Sequence, residues 1–506
     1  MNKGMVYILG AGPGDPGLLT IKGLEKLKLA DVVVYDRLIN NELLNYCKTD
    51  CEKIFVGKEA GFHLVEQNRI TGILINKSNL GLTVVRLKGG NPFVYGRGSE
   101  EAIALRKAEI DFEIIPGITS GLAAPIYSGI PITHRGLVSQ CIFITGHEST
   151  DGLETQVEWD KLAKLKYTSL IIYMGATRIE LISETLMKHG MNPETPVAVI
   201  ENGTLSNQKT ITSNLNNISD TFKQNNLRSP CIIIISPTVP LREEISWWEK
   251  KALYNKRIVI VGTEYQSKDL RAQLYDSGAE ILLLPVMKVE IKVPNITLKE
   301  LLSHNVFEWI LFTSVEGVKY YFKLLNKEDL DARIFKGMKI GTFGFETTKE
   351  LNAFGLKSDF SQDIATPELI VQNFSDKFLI EDIKFLVIEG ESQHNLLSTE
   401  LNKFGGKVKT LKSYKFSNSK PEQENIINIQ KNKNDAFVFL NSATVDRFFE
   451  ILGSETATKL LNNSISIVLD PLTSNVLINK SIRNVIECKK VSIDAIYEKI
   501  FKSLCK

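Results

Sequence analysis

Short apolar runs separated by amphipathic stretches recur along this chain, and that rhythm confines it to layered α/β architecture. MVYILG (5–10), DVVVYD (31–36), TVVRL (83–87) and FEIIP (112–116) read as buried strands of a largely parallel sheet. Between the first two, residues 17–29 place Leu18, Ile21, Leu24 and Leu27 at helical spacing, and Ser99 with two glutamates opens a helix near 99–109. A second block follows from CIFITG (141–146) through SLIIYMG (169–175) and PVAVIENG (196–203) to CIIIIS (231–236). Sub-domains of about 1–136 and 137–243 are expected. TVPLREEISWWEKKALYNKR (238–257) breaks the rhythm with charge and two adjacent tryptophans. Residues 244–255 are therefore read as a linker whose tryptophans dock on a neighbouring domain.

A chain of 506 residues is too long for one core. Its C-terminal half carries an internal repeat. EWILFTSVEGVKYYF (308–322) matches DAFVFLNSATVDRFF (435–449) at an offset of 127, and Gly278, in the DSGAE that follows RIVIVG, matches Gly405, in the KFGGK that follows FLVIEG, at the same offset. Thr347 pairs with Thr473 at 126. A duplicated α/β domain is expected over 256–506, with one lobe from 256–290 plus 413–506 and the other from 291–412. The junction of two such lobes is a preferred ligand site.

Charge excludes some partners. With 61 basic and 59 acidic residues, the net charge of +2 supplies no field for nucleic acid or an anionic membrane. The six cysteines are scattered, and Cys47 and Cys51 have no second Cys/His pair at zinc spacing. No metal and reduced thiols are expected. No stretch reaches the 18 apolar residues of a membrane span, and the run Met5–Leu9 leads at once into a Gly/Pro/Asp loop, unlike a signal peptide. A cytoplasmic protein is the reading.

GAGPGDPGLLT (10–20) follows a strand and opens a helix, so its backbone can approach a ligand closely. One reading is a dinucleotide fold serving an NAD-dependent oxidoreductase, with Asp36 closing the second strand as a ribose carboxylate would. Against it, the third fingerprint position is Asp15 and the turn holds Pro13 and Pro16. RLKGGNPFVYGRGSEE (86–101) and PGITSGLAAPIYSGIPITHRG (116–136) then add two more loops at strand ends. With GAGPGDP, ADVVVYDRL, VGK, TGH, YMG and IENGT in the same order, residues 5–243 resemble the uroporphyrinogen-III C-methyltransferases of the sirohaem and cobalamin pathways.

That resemblance implies a homodimer of two-domain α/β subunits moving two methyl groups from S-adenosylmethionine to uroporphyrinogen III, giving precorrin-2 through precorrin-1. By position, Pro13, Gly89, Gly90, Asn91, Val94, Thr119, Ser120, Met174 and Gly203 would line the S-adenosylmethionine site. Asp36 would be the proton acceptor and Lys58 the proton donor, and Arg97 and Met174 would hold the tetrapyrrole. The chemistry suits these types: an electron-rich pyrrole carbon attacks a sulfonium methyl, and the protein aligns the two and removes a proton. Arg37, Lys58, Arg86, Lys88, Arg97, His134 and Arg135 are candidate partners for the substrate carboxylates, or else ordinary surface charges. His147 is either a ligand contact or structural. Asn91 stands where the family usually has aspartate; it keeps the Asx turn and loses a charge.

Residues 256–506 resemble uroporphyrinogen-III synthase, through KRIVIVG, FTS with Gly317-Val318, FGFETTKELNAFGL, GGKVKTLKSYKF and DPLTSNVL. The family's frequent arginine after the first strand is missing, with Glu264 following Thr263. The resemblance implies cyclisation of hydroxymethylbilane, with Tyr414 as the catalytic tyrosine and Thr347 and Thr473 as hydroxyl partners of the substrate. Thr313, Ser314 and Ser442 read either as site hydroxyls or as helix N-caps. A non-catalytic binding module is the alternative for this half.

Overall fold

The computed structural model describes residues 3–48, 50–57, 67–146, 156–263, 267–294, 297–303, 306–363, 366–391, 396–488 and 492–505, without the side chains of Lys268 and Glu424. Lys58, His147 and Glu264 lie outside the described residues. Two compact units divide the chain, Met1–Asn255 and Lys256–Lys506.

In the first unit, β1 (Val6–Gly10), β2 (Val32–Tyr35), β3 (Glu52–Phe55), β4 (Val84–Lys88) and β5 (Phe112–Ile115) form one sheet in the order β3-β2-β4-β1-β5. Every pairing in it is parallel. β2 and β4 are buried along their whole length, as strands covered on both faces must be. The helix after β1 starts at Ile21, later than the spacing predicts. Two caps explain the delay: Asp15 takes the Gly17 amide at 2.7 Å and holds a separate 3₁₀ turn, and Thr20 then takes the Gly23 amide at 3.1 Å. β6 (Gln140–Thr145), β7 (Thr168–Tyr173), β8 (Pro196–Glu201), β9 (Lys209–Asn214) and β10 (Cys231–Ile235) make a second sheet ordered β6-β7-β10-β8-β9. Only β6 and β7 run parallel there.

The expected linker is not one. Within 244–255, Trp248 is 2% exposed and donates its indole N–H to the Leu205 carbonyl at 2.9 Å, and Trp247 donates to the Ile126 carbonyl at 3.2 Å. Glu249 pairs with Arg242, and the Tyr254 hydroxyl bonds the Gln208 carbonyl. Charge and aromatics in this stretch mark a packed tail of the first unit, because Trp247, Trp248, Glu249 and Tyr254 find partners inside it.

The second unit opens with β11 (Arg257–Gly262) and β12 (Glu280–Pro285), then crosses to β13 (Met287–Ile291), β14 (Trp309–Phe312), β15 (Lys339–Phe343), β16 (Phe360–Gln362), β17 (Lys384–Gly390) and β18 (Lys407–Asn418). It returns for β19 (Ala436–Phe439), β20 (Ile465–Val468) and β21 (Val485–Glu487). The two sheets are β12-β11-β19-β20-β21 and β13-β18-β17-β14-β15-β16. Apart from β13 they have the same order, with β14 standing for β19, β15 for β20 and β17 for β11, which is the sequence repeat in three dimensions. Its helix caps repeat as well: Ser314 accepts the Gly317 amide and Asn441 accepts the Thr444 amide.

One boundary differs from expectation. β13 and all of β18 belong to the second sheet, so the crossovers fall at 286 and 419, where the Ser419 amide meets the Val286 carbonyl at 3.0 Å. β18 is 12 residues long and pairs parallel with β17 and then antiparallel with β13, carrying it past residue 413. Tyr414 therefore lies within the second lobe's sheet and not at the crossover between lobes.

Candidate active sites

The first unit gathers its glycine loops at the carboxyl ends of β1, β4 and β5, where open α/β sheets bind ligands. Here backbone packs on backbone. Gly12 and Gly90 exchange two hydrogen bonds at 3.2 and 2.7 Å, and a Cβ on Gly117 would stand 2.2 Å from the Gly90 carbonyl oxygen. Gly117→Ala is accordingly expected to destabilise this unit by about 1–3 kcal/mol through overpacking, read as a lower midpoint in urea; a midpoint matching wild type would contradict it.

A cavity of about 260 Å³ opens between these loops and the second sheet, walled by Pro13 and Gly14, by Arg37 to Asn40, by Ser120 and Ala124, and by Asn202, Gly203 and Leu205. Asn40 donates to the Gly14 carbonyl at 2.9 Å, tying two walls together. A Cβ on Gly203 would reach within 2.4 Å of the Ala124 Cβ, so glycine there lets the second sheet approach the helix Ser120–Tyr127. Of the positions expected to line the cofactor site, Pro13, Ser120 and Gly203 are in this wall.

The others are held nearby by other contacts. Asn91 Oδ1 accepts the Phe93 amide at 2.9 Å, the Asx turn that the sequence suggests, and Nδ2 donates to the Gly117 carbonyl at 3.0 Å. An aspartate could not make that second bond, so asparagine here exchanges a charge for a link between two loops. Gly89 packs its α-carbon against Leu38, where a Cβ would come within 2.9 Å. Thr119 shares a 2.7 Å hydrogen bond with the Tyr173 hydroxyl, which also takes the Gly121 amide at 2.9 Å. Val94 packs on the cluster around Ala124, Ile130 and Tyr173. Met174 follows β7 in the left-handed region (φ 54°) and is 48% exposed.

Asp36 follows β2 directly, with Oδ1 on the Leu38 amide at 3.1 Å and Oδ2 at 3.2 Å from Arg86 Nη2. Arg86 itself is buried, its Nε 3.2 Å from Glu101 Oε1, and Lys88 Nζ meets the same oxygen at 3.1 Å. Burial, aided by Arg86, pulls the Lys88 ammonium below its ordinary pKa. Arg86 and Lys88 are thus committed to Glu101 and are not free for substrate carboxylates. Arg97 caps the helix Gly98–Lys107 in a left-handed conformation and pairs with Glu100 at 2.8 Å on the surface, away from the cavity wall. Arg37 does line the cavity. Glu101 and Tyr173 escaped the sequence reading because one looked like a helix-opening acid and the other like strand filler.

In the second unit Tyr414 is 1% exposed, with its hydroxyl 2.9 Å from Ser314 Oγ and Gly390 under its ring. Burial, with Glu316 and Glu389 close by, pushes the phenol above its usual pKa. Thr313 donates to the Ile388 carbonyl at 3.0 Å, Ser314 is an N-cap, and Ser442 follows the cap residue Asn441. Thr347 and Thr473 sit buried in the first turns of the matched helices after β15 and β20. The Thr473 hydroxyl is bonded to Asp470 at 2.8 Å. The repeat thus brings these threonines to equivalent places without turning either hydroxyl to solvent.

Fold and sites together define a two-part enzyme: a two-domain α/β unit with a glycine-walled cavity, followed by a duplicated two-lobed unit. Among known families, residues 5–219 match the Tetrapyrrole (Corrin/Porphyrin) Methylases and residues 268–498 match Uroporphyrinogen-III synthase HemD. The chain is 41% identical to the "Porphyrin biosynthesis protein HemD" of Ruminiclostridium josui, over 72% of each chain. It is 40% identical to the "Uroporphyrinogen-III C-methyltransferase" of Bacillus subtilis (strain 168), covering 66% of this chain and 68% of that one. A "Siroheme synthase" of Escherichia fergusonii is 45% identical over 49% of this chain and 53% of its own. The protein belongs to the tetrapyrrole methylases, in a fusion with a uroporphyrinogen-III synthase. The oxidoreductase reading is displaced by that membership; Asp15 and its capped turn occupy the place where a dinucleotide fold needs its third glycine.

Among the described residues no helix is long and apolar enough to cross a membrane, and no group of three or more His, Cys, Asp or Glu side chains could hold a metal ion.

Proposed function

We propose that the first unit transfers two methyl groups from S-adenosylmethionine to uroporphyrinogen III, giving precorrin-2 through precorrin-1, and that the second unit makes uroporphyrinogen III from hydroxymethylbilane. The observation that carries this reading is the pairing, in one chain, of the glycine-walled cavity with a synthase fold whose product is the methylase's substrate. The cavity wall holds a cofactor by backbone approach and by Ser120 and Asn202. Bound there, S-adenosylmethionine supplies an electrophilic methyl group. Asp36, oriented by Arg86, accepts the proton released from the methylated ring, and Met174 bears on the macrocycle. Lys58 as donor, Arg97 as a substrate contact and a homodimer through the first unit remain part of the proposal.

Supplying hydroxymethylbilane and S-adenosylmethionine to the full chain is expected to yield a product heavier by two methyl groups. Unmethylated type I uroporphyrinogen alone would overturn the synthase half, and the type III isomer without methylation, whether formed or supplied, would overturn the methylase half.

In the second unit Tyr414, buried and bonded to Ser314, acts in this reading by holding the loop at Ser314. Tyr414→Phe is expected to slow type III formation less than about tenfold and to lower stability by about 1 kcal/mol, the worth of one buried hydrogen bond. Complete loss of type III product from a folded variant would mean that the phenol itself reaches the substrate.

A further inference from the structure

We infer that Tyr127, clamped by Trp247 and Trp248, is a positioning residue for the methyl-donor cavity, and that the tail after Leu241 sets cofactor affinity through it. The inference rests on S-adenosylmethionine occupying that cavity. Both walls of the cavity lead back to the same tail. On one side, Pro13 and Gly14 are followed by Asp15, which is buried. Its Oδ1 caps Gly17 at 2.7 Å, its amide donates to Thr204 Oγ1 at 3.0 Å, and its Oδ2 accepts the Tyr127 hydroxyl at 2.6 Å. The Tyr127 ring lies 5.0 Å from the ring of Trp247 and 4.9 Å from that of Trp248. Lys251 caps both indoles, 5.4 and 4.8 Å from their centres.

On the other side, Leu205 gives its carbonyl to Trp248 at 2.9 Å, and a Cβ on Gly14 would press within 2.9 Å of its side chain. The Thr204 amide donates to Gln208, whose Nε2 donates to Glu249 at 2.9 Å. Two loops about 190 residues apart are therefore registered against one aromatic clamp. Without the tyrosine hydroxyl, a buried carboxylate oxygen loses its charge-assisted donor, and the 13–15 loop must move to hydrate it.

The test uses the full chain. Tyr127→Phe keeps the ring stack and deletes the donor. It is expected to raise the Kd for S-adenosylhomocysteine by calorimetry, and the KM for S-adenosylmethionine, about tenfold, with kcat and the tetrapyrrole KM within about twofold of wild type. Trp247→Ala, at a half-exposed position, is expected to shift the same constants in the same direction. Unchanged cofactor Kd in both folded variants would overturn the inference, as would a fall in kcat with no change in cofactor KM. Wild-type protein that binds no S-adenosylhomocysteine would overturn the functional reading instead.

Discussion

Replacing Asp36 by alanine is expected to lower the rate of methyl transfer by a factor of about 10²–10⁴, the usual worth of a positioned general base. The larger effect should fall on chemistry. Arg86, which loses its partner in this change, still has Glu101 Oε1 at 3.2 Å and the carbonyls of Leu87 and Val34 at 3.0 and 3.3 Å. Arg86 and Lys88 must then share the one carboxylate of Glu101, so a modest loss of stability accompanies the change. Asp36 is also absent from the cavity wall, although Arg37 beside it is present, so S-adenosylhomocysteine should bind the variant as it binds wild type. Single-turnover mass spectrometry gives the rate and calorimetry gives the affinity. Near-normal turnover would remove Asp36 from the mechanism, and loss of cofactor binding would move it to the other face of the site.

The second large effect concerns where the methylase ends. A fragment of residues 1–255 is expected to fold and to methylate uroporphyrinogen III, whereas one ending at 245 should be less stable by about 3–5 kcal/mol, the cost of removing a buried tryptophan. The shorter fragment loses Trp248 from its burial site and strips Arg242, Gln208 and Thr210 of their shared partner Glu249. In a thermal scan the difference amounts to about 10 °C for a domain of this size. Equal midpoints for the two fragments would show that the tail packs without stabilising.

Much of this was legible beforehand because it is written in local pattern. The 127-residue offset reappears as matched strands and matched caps, since Ser314 and Asn441 serve their helices through the same three-residue geometry. The glycines of the first unit were legible for a similar reason: a residue without Cβ is required wherever two strand-end loops touch, as at Gly90 and Gly117. The reading went astray where a residue's role depends on distant company. Arg86 and Lys88 look like surface charges in a strand of apolar neighbours, yet Glu101 draws both inside. Residues 244–255 have the composition of a linker, yet Trp248 finds a buried slot at Leu205.

Sequence alone determined the α/β class, the duplicated second half, the strand-end loops and the family, because periodicity, turn chemistry and motif order act over a few residues and survive any arrangement of the rest. Only the tertiary structure decided which loops share a wall and which charges are neutralised. Only it showed that Tyr414 is buried and that the tail clamps the Asp15 loop through Tyr127. Those choices join residues 13 to nearly 190 positions apart. No local preference encodes such a pairing; it follows from which packed surfaces exclude water together.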